Sequence, residues 1–105
     1  MIISDNIRIG ESVRFKSDRI LDALRVGETC SNIIWYAITT SYEDDTLMYI
    51  MNGMEFRHSF YHQGNLRLLG LAGSRKEACE MVLNLVQEGY NTDNIHQMKQ
   101  YLESI

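Results

Sequence analysis

Apolar and polar positions change their spacing along the chain, and each change marks an element. From Ile33 to Ser41 the residues are β-branched or aromatic almost throughout, which predicts a strand buried on much of both faces. Glu43-Asp44-Asp45 interrupts the run as a solvated turn, and Thr46 to Met51 resumes it. Asn52-Gly53 then favours a two-residue type I′ hairpin, because both central positions need positive φ. That turn would set Met51 opposite Met54, Tyr49 opposite Phe56 and Leu47 opposite His58 on one inward face. A looser turn at Gln63-Gly64-Asn65 leads into another apolar run. The expected strands, 33–41, 46–51, 54–60 and 66–71, form an antiparallel meander.

A three- and four-residue spacing takes over after Ser74. Ser74-Arg75-Lys76-Glu77 matches a capping box, in which the serine oxygen takes a free helix amide and the glutamate reaches back to the serine amide. Ala78, Met81, Val82, Leu85 and Val86 carry one apolar face over 75–88, and Gly89 ends the helix. A second helix over 93–103 carries the stripe Ile95, Met98, Leu102 and Ile105, which docks either on the domain or on a second subunit. Near the start, Ile20, Leu21 and Leu24 with Gly27 behind them predict a short helix over 18–26. Ile7 to Ile9 alternates weakly, as a short strand would. The reading is a single α+β domain over residues 1–105, a length well inside the usual domain range.

Composition narrows the functional classes. Apolar residues make up 45% of the chain, enough for an ordinary core without staples. Cys30 and Cys79 have neither the density of a disulfide scaffold nor CxxC spacing, so reduced thiols are expected. The N-terminus lacks the basic-then-apolar pattern of a secretion signal, and no apolar run approaches the ~20 residues of a membrane span. A cytoplasmic protein with no membrane contact is the expectation. A net charge of −4 disfavours nucleic acid as the partner. The charge is uneven, however: Phe56 to Lys76 holds Arg57, Arg67, Arg75 and Lys76, with His58 and His62, and no carboxylate.

The segment Gly70-Leu71-Ala72-Gly73-Ser74-Arg75-Lys76 feeds a small-residue loop into a helix, where free amides could take an anion. A phosphate or nucleic-acid site would combine Gly73, Ser74, Arg75 and Lys76 with Arg57 and Arg67. The GxxxxGK P-loop pattern is not met, and plain capping alone explains Ser74 and Glu77. Ser74-Arg75-Lys76-Glu77-Ala78 resembles the Ser-basic-basic-x-Ala motif that opens the last helix of double-stranded-RNA-binding domains. That resemblance covers at most Ile33 to Val86, and it implies three strands followed by a helix lying near phosphates. Two features depart from it: the stretch between Asn52-Gly53 and Ser74 is too long, and Glu80 stands where the family tends to be basic and small.

His58 and His62 share a face at four-residue spacing, but a metal site needs further ligands that no motif supplies, so no metal or other cofactor is expected. No nucleophile and base stand in an activating context. The sequence therefore points to a non-catalytic binding or interaction protein rather than an enzyme. Self-association or a protein partner would use the stripe Ile95, Met98, Leu102 and Ile105, or an edge strand of the sheet. The alternative is the nucleic-acid or phosphate module built on 56–76 and the helix start at Ser74.

Overall fold

The fold is seen in a computed structural model that describes residues 2–26, 33–41, 43, 45–53, 66–89 and 95–105. Strand β1 (Ile2–Ile9) leads into a 3-10 turn (Glu11–Lys16) and helix α1 (Ser17–Arg25). Strands β2 (Tyr36–Thr40), β3 (Met48–Asn52) and β4 (Arg67–Ala72) follow, then helices α2 (Arg75–Glu88) and α3 (Ile95–Ser104). The α+β class read from the sequence holds.

The four strands lie in the order β1-β4-β2-β3. Strand β2 pairs antiparallel with both β3 and β4, whereas β1 pairs parallel with β4. The meander is thus only partial: β4 returns on the far side of β2 instead of continuing beyond β3. Its composition gives the reason. Leu68, Leu69, Gly70, Leu71 and Ala72 are all buried, and such a run belongs in the middle of a sheet covered on both faces. Running parallel to β3 one strand away, β4 also needs a crossover of a dozen or so residues, which the stretch 54–65 has the length to supply.

Both faces carry a core. On one, Val13, Ile20, Leu21 and Leu24 pack against Trp35, Ala37, Met51, Leu68 and Leu71; on the other, Ala78, Leu85, Met98 and Leu102 pack against Ile38, Leu69 and Ala72. Helices therefore sandwich the sheet. The strand residues alternate between the cores, Tyr49 and Met51 towards the first and Met48 and Ile50 towards the second, so the expectation of one inward face gives way to two. In β4 the alternation slips once. Ile38 pairs with Gly70 and Thr39 with Leu68, leaving Leu69 as the extra residue of a bulge. Gly70 lies beside it on the α2 side, where an added Cβ would stand 2.9 Å from the Met81 methyl.

Asn52-Gly53 does not act as the expected tight turn. Asn52 is the last residue of β3 and pairs with Tyr36, and the Gly53 amide donates to the Trp35 carbonyl at 2.8 Å, closing the β2–β3 ladder. A Cβ on Gly53 would lie 2.3 Å from the Trp35 indole, so the glycine is needed for close approach. The expected strand 54–60 falls outside the described residues.

Candidate functional site

At the helix start proposed as an anion site, the chain's own Glu77 carboxylate takes one of the amides, that of Gly73. Ser74 caps α2, its hydroxyl accepting from the Glu77 amide at 3.1 Å. The Glu77 carboxylate is received one residue before the expected Ser74 amide: Gly73 N–H donates to Oε1 at 2.8 Å. It also crosses to the turn after β1, where the Ser12 hydroxyl donates to Oε1 at 2.6 Å and the Ser12 amide to Oε2 at 3.3 Å. Burial pushes the carboxyl pKa up, but the Ser12 hydroxyl and the amides of Gly73, Ser12 and Glu11 outweigh it and hold it below the ordinary value. An incoming phosphate would have to displace this carboxylate to use the Gly73 amide.

Of the basic residues expected around it, two are at the helix start and one stands apart. Arg75 and Lys76 are exposed in the first turn of α2. Arg67 opens β4 at its other end, on the order of 20 Å from Ser74 at ~3.3 Å per residue, and its Nε donates to the Ile105 carbonyl at 2.9 Å. Arg57, with His58 and His62, lies outside the described residues. No group of three or more His, Cys, Asp or Glu residues able to hold a metal occurs among the described residues, and Cys79 is a free, exposed thiol.

The α3 stripe is spent inside the molecule. Met98 and Leu102 are buried in the second core, and Ile105 packs partly against it. An intermolecular seam using Met98 and Leu102 would require α3 to undock; the Ile95 side chain lies outside the described residues. Of the two homes the sequence allowed this stripe, the domain itself takes it.

What the sequence did not single out is the edge at β1. Arg8 pairs with Gly70 and Ile9 with Leu71, and the Gly10 amide donates to the Leu71 carbonyl at 2.8 Å. Alternate residues of a parallel strand turn their N–H and C=O to the same neighbour. Arg8 and Gly10 therefore face β4, and Ile9 faces the opposite edge, along which no other strand runs among the described residues. Side chains alternate as well: Ile7 and Ile9 lean on the first core, and Arg8 projects to the other face.

That other face of β1 is thinly covered, because α2 packs over β4, β2 and β3. A groove of about 340 Å³ remains between Arg8, Ile9 and Gly10 on the strand and Met81, Asn84, Leu85 and Glu88 on one stripe of the helix. Arg8 spans it, both Nη atoms donating to Glu88 Oε1 at 3.3 and 3.0 Å. Its Nε is buried and meets no partner among the described residues. Apolar Met81 and Leu85 and charged Arg8 and Glu88 line it together, a mixture suited to holding a side chain. Only weak alternation at Ile7 to Ile9 signalled this strand in the sequence.

No helix among the described residues is long and apolar enough to cross a membrane. Comparison with protein-family models, with curated proteins and with solved structures finds no match to this chain.

Proposed function

We propose that this chain is a non-catalytic interaction module that takes an extended protein segment, from a second copy or another chain, onto the open edge of β1. One observation carries the reading: Ile9 turns its backbone groups to an edge with no neighbouring strand among the described residues, and a groove lies directly beside it. In strand addition the main-chain bonds supply affinity and pockets for alternate side chains supply selectivity. The edge and the groove match those two parts. The phosphate reading is less well supported, since Glu77 takes the Gly73 amide at the head of the loop it would use.

The test is selection of displayed random peptides on the full chain, with sedimentation of the chain alone run in parallel. An Ile9→Pro variant removes the outward N–H without touching a bond to β4, and proline is tolerated on the solvent side of an edge strand. Ile9→Ala loses the same side chain and keeps the amide, so it is the reference for stability. The proposal expects enriched peptides, or self-association, that survive in the reference and disappear with proline. Binding indifferent to the proline, or neither binding nor self-association at any concentration, would refute it.

A further inference from the structure

The charge around the groove defines what the added segment should carry, given the strand-addition reading on which this rests. Helix α2 ends there with Glu88 as its last residue and has no basic residue in its last turn. The partial negative charge of the helix C-terminus and the Glu88 carboxylate therefore add. Arg8 is the counter-charge, and it binds Glu88 through a single carboxylate oxygen, with the Glu88 side chain still 42% exposed. The rest of the chain does not offset this, since its net charge is −4. Met81 and Leu85 give the groove an apolar wall leading to that negative end.

An aliphatic stem with a cationic head fits both halves, because lysine and arginine lay their methylenes on apolar surface and keep the charge at a polar rim. We infer that the segment added beside β1 is a basic one, with a lysine or arginine whose stem lies along Met81 and Leu85 and whose head meets Glu88. The carboxylate would then be shared between Arg8 and the incoming cation. An acidic side chain at the same place could reach Arg8 only against both the helix end and Glu88.

The test uses the full chain, labelled with nitrogen-15, and three capped pentapeptides, Thr-Val-Xaa-Val-Thr, with lysine, leucine or glutamate at the centre. Chemical shifts of the Ile9, Gly10 and Asn84 amides report binding. The lysine peptide is expected to bind roughly fivefold or more tighter than the glutamate peptide at low salt, the scale of one helix-end charge and one exposed ion pair. Glu88→Gln should abolish that preference. Equal binding of all three peptides at β1 would overturn the basic segment while leaving strand addition standing. Concentration-dependent shifts of the same amides without peptide would put a second copy on the edge and overturn the peptide. No shift at β1 with any peptide would overturn strand addition itself.

Discussion

Removing the Glu77 carboxylate should loosen two loops at once, because that one group joins the turn after β1 to the start of α2. It accepts from the Ser12 hydroxyl, the Ser12 amide and the Gly73 amide at 2.6, 3.3 and 2.8 Å. Hydrogen bonds to a charged group contribute about 1.5–3 kcal/mol each when well sheltered. Ser12 is exposed and water can replace part of what is lost, so Glu77→Ala is expected to cost about 2–3 kcal/mol in total, near the upper range for point substitutions. Glu77→Gln keeps one acceptor oxygen and should cost about half as much. For a domain of this length the alanine variant corresponds to a fall in Tm of roughly 10 °C. The assay is urea unfolding of parent, Glu77→Ala, Ser12→Ala and the double variant. A coupling energy of about 1–2 kcal/mol between Ser12 and Glu77 is expected.

The same bonds set a pH signature. They hold the folded carboxyl pKa below its unfolded value, so the folded state binds fewer protons and gains stability from the ionised group. That gain is complete above the unfolded glutamate range, about pH 4.3, and is lost as pH falls through the folded pKa. The gap between parent and Glu77→Gln should therefore be constant near neutrality and shrink in acid. A Glu77→Ala variant within about 0.5 kcal/mol of the parent, the scale of an ordinary surface change, or a gap that widens in acid, would refute the latch.

Three further outcomes follow from the packing. Gly53→Ala forces a methyl against the Trp35 indole and should lower stability by about 1–3 kcal/mol in denaturant unfolding, as overpacking does. Leu102→Ala should cost about 2–5 kcal/mol, as core truncations do, without changing the sedimentation mass; a change of mass with stability intact would return α3 to an interface. Arg75→Glu with Lys76→Glu should be as stable as the parent or slightly more so in denaturant unfolding, by up to about 1 kcal/mol, because acids suit a helix start.

Sequence patterns exposed the helices well, since each has a local signature: Ser74 and Gly89 bound α2, and Ile20, Leu21 and Leu24 mark the buried stripe of α1. Strands β2 and β3 were legible for the same reason, in their β-branched and aromatic residues. Strand order was not, because nothing near residues 67–72 records that β1 lies alongside. Asn52-Gly53 misled because its turn propensity is weaker than the ladder bonds to Tyr36 and Trp35. The candidate site was hidden for a related reason: Arg8 and Glu88 are 80 residues apart in the chain, and no spacing rule reaches that far. Glu77 was recognised as a capping residue, but its partner Ser12 carries no motif.

The β1–β4 pairing also governs when this protein can become itself. Ser12 and Glu77 are joined across 65 residues, and Ile2 must wait for Arg67 before it has a neighbour. Contacts this distant in sequence slow folding, because the loop must close before they contribute. During synthesis at about 5–20 residues per second, the first strand spends several seconds outside the ribosome with its isoleucines uncovered. In that interval the edge that later takes β4 is open too, in addition to the one along which no strand runs among the described residues. A chaperone, or a neighbouring nascent chain, would meet β1 before β4 does.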